Sequence, residues 1–213
     1  MSLIRKIHAK INQTNTETIQ GFCINLNRRT DRRKEFEDEC RRMGILVERF
    51  PAVEHLHGGF GCVLSHIEVL KLARERKYPT VTIFEDDFEF LVSKNEFKSI
   101  LARIPSEFDV VMLSYNLFKS EPYNDTFGKC LDVQTSSGYI VHQRFYDTLL
   151  ANLEEARELY ANDLTQEGFK KYIIDQYWKR LQPSATWLHS LQRVGRQRAS
   201  YSDIELKVVD YKV

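Results

Sequence analysis

Three consecutive carboxylates, Glu85, Asp86 and Asp87, follow a short run of β-formers in the stretch VTIFEDDFEF, Val81 to Phe90. Adjacent carboxylates repel one another, and ionisation is disfavoured unless a cation or hydrogen-bond donors compensate. A divalent metal is the simplest compensation. Oxygen-only ligands suit Mg²⁺ or Mn²⁺, which bind through one or two carboxylates and keep positions open for water and substrate phosphates. The same residues also read as an acidic turn facing solvent, and the triplet alone does not decide between the two.

Further groups with chemical potential lie along the chain. Arg28, Arg29 and Arg32 sit in NRRTDRR at the expected start of a helix, where free N–H groups and forked guanidinium donors match phosphate oxygens. They read equally as a solvated helix face. Ser65 and His66 fall in the expected first turn of a helix that directly precedes the acidic strand. A lone histidine there is in most cases a packed or capping residue. Asp175 stands inside the aromatic and aliphatic run Tyr172 to Trp178. Such surroundings raise a carboxyl pKa, which suits a general base, although pairing with an arginine is the equal alternative. His189 lies on the expected last strand and is counted with Asp87 and Glu85 as a candidate metal ligand. The polar segment Gly195 to Ile204, with Arg196, Gln197, Arg198, Ser200 and Ser202, reads as a tail that orders over a bound diphosphate, or as a charged surface strap.

These groups need elements to hold them. Gly21 to Leu26, Ile45 to Phe50, Val81 to Phe84, Asp109 to Leu113, the run to Val141 from Thr135, and Ala185 to Leu191 read as strands. Helical spacing follows an N-cap at Thr30 or Asp31, with Phe36, Cys40 and Met43 on one side and Gly44 closing the helix. It recurs from Gly61, across Asn95 to Ile104, and through Phe145, Leu149, Leu150 and Leu153. The alternation predicts an α/β sheet, with the acidic cluster at the carboxyl end of a buried strand. Ser114 to Lys129 shows no periodicity and reads as a loop or lid over the site, or a plain surface excursion. Small residues in Thr135 to Gly138 permit close approach by a ligand or by other backbone.

Composition sets the limits. The 213 residues are 42% hydrophobic, enough for one substantial core without disulfides. Thirty-one Lys and Arg against 30 Asp and Glu leave a net charge of +1, which gives no general argument for nucleic acid or for an anionic membrane. The four cysteines show no C-x-x-C spacing and read as buried free thiols. With no apolar window of signal-peptide or membrane-span length, the reading is a cytoplasmic chain. Residues 1–20 read as a polar leader to a single domain over 21–213.

Several ordered motifs together resemble glycosyltransferase family 25, the group of bacterial lipopolysaccharide glycosyltransferases and collagen galactosyltransferase domains. They are INLNRRTDRR (Ile24 to Arg33), FPAVE (Phe50 to Glu54), GCVLSHIEVLKLA (Gly61 to Ala73), FEDDFEF (Phe84 to Phe90), SSGYIV (Ser136 to Val141), IDQYW (Ile174 to Trp178) and GRQRASYSDI (Gly195 to Ile204). The resemblance implies a GT-A-like fold, a mixed sheet with helices on both faces. Its nucleotide-sugar half would span about 21–90 and its acceptor half about 91–213. It further implies a metal-dependent, inverting transfer of galactose or glucose from a UDP-sugar to an acceptor hydroxyl. That acceptor would be a glycan, a lipid-linked glycan or a collagen-like protein.

By the same resemblance, Asn25, Arg28, Arg32, Ser65, His66, Glu85, Gln197, Ser202 and Asp203 would serve the donor. Asp87, with Glu85, would hold Mn²⁺ or Mg²⁺. Asp175 would be the base, with Asp86 behind it. Glu85 replaces the family's usual Asp, and no proline stands in Arg193 to Arg196, just before Gln197. Two other classes fit parts of the pattern: a metal-dependent phosphoesterase, which needs more metal ligands, and a catalytically silent sugar- or nucleotide-binding relative.

Overall fold

The computed structural model describes residues 17–204 and 207–210. In chain order, β1 (Glu17–Asn25) leads to α1 (Thr30–Met43), β2 (Ile45–Pro51), α2 (Gly58–Glu75), β3 (Thr80–Glu85) and β4 (Phe88–Phe90). Next come α3 (Lys94–Leu101), β5 (Val110–Met112), β6 (Asn116–Pro122), β7 (Phe127–Gln134) and β8 (Gly138–His142). The remainder holds α4 (Tyr146–Ala161), α5 (Gln166–Tyr172), α6 (Ile174–Tyr177), a 3₁₀ segment (Trp178–Ser184), β9 (Trp187–Ser190), β10 (Gly195–Gln197), β11 (Ser200–Ser202) and β12 (Lys207–Val209).

Eight strands form one mixed sheet in the order β2-β1-β3-β8-β5-β9-β7-β6. β1 runs parallel to both β2 and β3, and β5 parallel to β9, so these five strands end on the same side; β8 enters antiparallel between β3 and β5. Apolar residues cover both faces. On one face Val63, Ile67 and Leu70 of α2 and Leu149 and Leu153 of α4 pack with Phe22, Val81, Ile83 and Tyr139. On the other, Phe36 and Met43 of α1 and Phe97 and Ile100 of α3 pack with Phe84, Val111 and Leu188. Burial on two sides explains why β3 lacks polar alternation. This is the α/β architecture expected from the sequence, a mixed sheet with helices on both faces. Among the described residues no helix is long and apolar enough to cross a membrane. All four cysteines are free thiols.

Several boundaries differ from the sequence reading. β1 begins at Glu17, inside the expected leader, because Glu17 pairs with Ile45 and its N–H donates to the Gly44 carbonyl at 2.9 Å. Residues 1–16 lie outside those described. The N-cap of α1 is Arg29 rather than Thr30 or Asp31, since the Asp31 carboxylate is turned to the Arg29 guanidinium. Gly44 closes α1 in the left-handed region at φ 60°, as its glycine predicts. α2 starts at Gly58, so Ser65 and His66 fall in its third turn rather than its first. The expected loop from Ser114 to Lys129 is largely a hairpin, β6 with β7, on the edge of the sheet. The tail is built into the fold: β10 pairs antiparallel with β4, and β11 with β12. It is therefore strand-paired rather than a loose surface strap.

Candidate active site

The acidic turn is set by the way Phe88 packs. β3 leaves the sheet at Glu85, two residues reverse the chain, and β4 starts with Phe88, whose ring contacts those of Phe84 and Phe90 at 4.8 Å between centroids. Gly138 and Gly195 make the space: a Cβ at either position would run into the Phe88 ring. The chain between β3 and β4 is thus clamped, and its carboxylates point inward. Asp86 and Asp87 are 7% and 4% exposed, which sets aside the reading of a solvent-facing turn.

Each carboxylate has distinct partners. Asp86 accepts from the Asn25 amide at 2.7 Å and pairs through its other oxygen with Arg32 Nε at 2.8 Å. Asp87 pairs with the other side of the same guanidinium and accepts from Gln197 Nε2 at 3.0 Å. Glu85 accepts from the Ser136 hydroxyl at 2.6 Å, with His66 Nε2 3.3 Å away. Burial pushes Asp86 up to about 6, against the pull of Arg32 and with help from the Asp87 charge. Burial likewise raises Asp87, where Arg32 again opposes it. Glu85 is held below the usual range despite its burial, because His66, Ser136 and Arg32 favour its charged form.

A cavity of about 620 Å³ opens over the turn at the carboxyl ends of β1 and β3. Its wall brings together Arg28, Arg32, Ser65, His66, Glu85, Asp86, Asp87, Gln197, Ser202 and Asp203, which the sequence reading had scattered over the chain. The amino end of α2 also faces it through Gly58 and Gly61. Arg28 lies at the rim, half exposed, paired with Glu54 and with Asp203 at 3.1 Å. Arg29, read from the sequence with Arg28 and Arg32 as a phosphate donor, binds Asp203 and the Tyr201 carbonyl instead and so ties β11 to the start of α1. Ser65 serves the backbone: its hydroxyl donates to the Gly61 carbonyl and accepts from the Val53 N–H. His66 is fully buried, with Nδ1 2.7 Å from the Tyr139 hydroxyl.

Three candidates stand apart from that wall. Asn25 reaches it only through Asp86, while its own side-chain oxygen accepts from Arg49 Nε at 2.8 Å. Asp175, on the first turn of α6, accepts from the Thr135 N–H at 3.1 Å, and Thr135 holds an unusual positive φ of 86° to present it. Burial, opposed by that amide and reinforced by the charge of Glu85, raises the Asp175 pKa. His189 is not brought to the carboxylates. β9 is three strands from β3 in the sheet, or about 14 Å at about 4.8 Å per strand. There its ring lies against Tyr115, and Nδ1 is 3.2 Å from the Ser190 carbonyl. As a ligand shared with Asp87 and Glu85 it is therefore corrected.

Whether a cation fits can be judged from the donors present. Asp87 Oδ1 is buried without a hydrogen-bond partner. One guanidinium spans two of three carboxylates, both raised, so the cluster is under-compensated and has an oxygen free. Hard oxygen donors in that state suit Mg²⁺ or Mn²⁺. The open Asp87 oxygen fits such an ion.

A cavity of this size at the strand ends, acidic at its floor and arginine-bearing at its rim, has the room and the charge to take a charged small molecule. Residues 56–137 match the model of glycosyltransferase family 25 (LPS biosynthesis protein), a stretch from the start of α2 through β3, the acidic turn and Ser136. The match bears out the resemblance read from the motifs, and with it the class of enzyme, a glycosyltransferase. No curated protein matches the chain. Among solved structures, a glycosyltransferase involved in glycosylation of the major capsid of PBCV-1 aligns at 12% identity and a TM-score of 0.49, over 82% of this chain and 81% of that one. Mannose-1-phosphate geranyltransferase from Thermus thermophilus aligns at 9% identity and a TM-score of 0.44, over 86% and 75%. The activities of those two proteins remain theirs.

Proposed function

We propose that this chain moves a hexose, galactose or glucose, from a UDP-sugar to an acceptor hydroxyl with inversion at the anomeric carbon. The observation that carries this reading is the cavity in which the acidic turn, the amino end of α2, Arg28 and Gln197 converge. A diphosphate needs positive charge and N–H donors, and the helix terminus and rim arginine supply both. The acceptor oxygen would attack the anomeric carbon opposite the diphosphate; the new C–O bond forms as the bond to the leaving phosphate oxygen breaks, with its electron pair. Arg28 would meet charge gathering on that group. Asp175, beside the cavity rather than on its wall, would take the acceptor proton, and burial raises its pKa in the direction a base needs. Asp86 is less suited to that task, because Asn25 and Arg32 occupy both its oxygens. A divalent cation, when bound, supplies further positive charge for the departing diphosphate.

Arg32 takes a different part from the phosphate contact expected of it: its guanidinium is committed to Asp86 and Asp87, so it shapes the floor of the site. The acceptor is read only as a hydroxyl on a glycan, lipid-linked glycan or protein. Incubation with a panel of nucleotide sugars and Mn²⁺, followed by arrayed acceptors with the donor consumed, tests the reading. Release of UDP from UDP-galactose or UDP-glucose is expected. Cleavage of simple phosphoesters with no nucleotide sugar consumed would overturn it.

A further inference from the structure

Beside the acidic turn lies a second set of ligands of different chemistry. Cys62 and His66 are four residues apart on α2, so both project from the same side of the helix. That side meets the carboxyl end of β3. The Cys62 thiol, a His66 ring nitrogen and a Glu85 carboxylate oxygen all lie within 4.8 Å of one another. His66 Nδ1 is engaged by the Tyr139 hydroxyl, which leaves Nε2 as the atom facing Glu85. Nε2 is fully buried and has no hydrogen-bond partner, although Glu85 is 3.3 Å away. An imidazole oriented through one nitrogen with the other unpartnered is the usual arrangement of a histidine ligand.

We propose that Cys62, His66 and Glu85 form a site for a borderline-soft divalent ion, Zn²⁺ by preference. Thiolate, imidazole and carboxylate favour such an ion over Mg²⁺ or Mn²⁺. Ligand atoms around tetrahedral zinc sit about 3.5 Å apart; His66 Nε2 and Glu85 are already at 3.3 Å, and side-chain rotation within the 4.8 Å grouping brings in the Cys62 thiol. Cys62, His66 and Glu85 all line the cavity, and the fourth coordination position opens into it, where water or an anionic oxygen completes the tetrahedron. The site stands on these residues whether or not the chain transfers a sugar. Glu85 is also the residue that a hard ion at Asp87 would share, so a soft ion here opposes binding there.

Cobalt substitution tests this directly. Titration of the metal-free full chain with Co²⁺ is expected to give a thiolate-to-metal charge-transfer band saturating at one ion per chain, with Zn²⁺ displacing it. Cys62→Ser should lose that band and bind Zn²⁺ at least tenfold more weakly, whereas Asp87→Asn should keep the band. A measurement on the unaltered protein covers the case in which Cys62→Ser misfolds: Zn²⁺ should slow alkylation of Cys62, read by peptide mass. Absence of the band from the wild type, its retention in Cys62→Ser, its loss in Asp87→Asn, or alkylation of Cys62 indifferent to Zn²⁺ would overturn the proposal.

Discussion

Replacing Asp86 by Asn should stabilise the ligand-free protein at alkaline pH. Burial outweighs the attraction of Arg32 and leaves the Asp86 pKa at about 6 against an ordinary 3.8. That difference corresponds to about 3 kcal/mol, at about 1.4 kcal/mol per pH unit, for keeping the group ionised in the fold. Because the folded value lies above the unfolded one, the stability linked to this group is fully present below about pH 4 and lost as pH rises through about 6. An Asn carries no charge to bury. It must, however, turn its amide towards Asn25 or Arg32, both donors, at a loss of about 1 kcal/mol at every pH. Urea unfolding should therefore find Asp86→Asn more stable than wild type by about 2 kcal/mol at pH 8 and less stable by about 1 kcal/mol at pH 3. A variant weaker at both pH values would show that the Arg32 pair outweighs desolvation, and the reasoning would fail.

Three further outcomes follow from the same geometry. Asp175→Asn should leave donor affinity near wild type and lower transfer to a true acceptor by about 10²-fold or more, as steady-state kinetics would read. Arg28→Ala, at the half-exposed rim, should weaken UDP binding about tenfold while the melting temperature stays close to wild type. Gly195→Ala should destabilise by about 1–3 kcal/mol in chemical denaturation, since the new methyl would strike the Phe88 ring and lie 2.8 Å from the Glu89 carbonyl, parting β10 from β4.

Much of the fold could be read from patterning, because the strands that build the sheet centre are buried on both faces and the helices carry 3.6-residue stripes. α1, β3 and β5 fall close to their expected places. The failures share a cause: the deciding partner lay far away in sequence. Glu17 to Gln20 look like leader until β2 lies alongside them, and the tail looks coreless until β4 offers it an edge. The candidate site was legible in its members and not in its wiring. Glu85 to Asp87, Arg28, Gln197 and Asp203 do meet at one cavity, yet Arg32 proves to be a brace between two carboxylates. His189 shares a sheet with Glu85 but is separated from it by three strand spacings. Cys62 went unnoticed beside Ser65 and His66, although its spacing of four from His66 was the signal. Phe88, with the two glycines that admit it, carried no chemical label at all.

The central claim is that this cavity binds a nucleoside diphosphate jointly with a divalent cation held by Asp87. Calorimetric titration of UDP into the full chain, with Mn²⁺ and then with a chelator, tests it most directly. The account predicts clearly tighter binding with Mn²⁺ in the wild type and no such gain in Asp87→Asn, because the open Asp87 oxygen would be the ion's anchor. Equal UDP affinity with and without the metal, or a full Mn²⁺ effect surviving in Asp87→Asn, would contradict it.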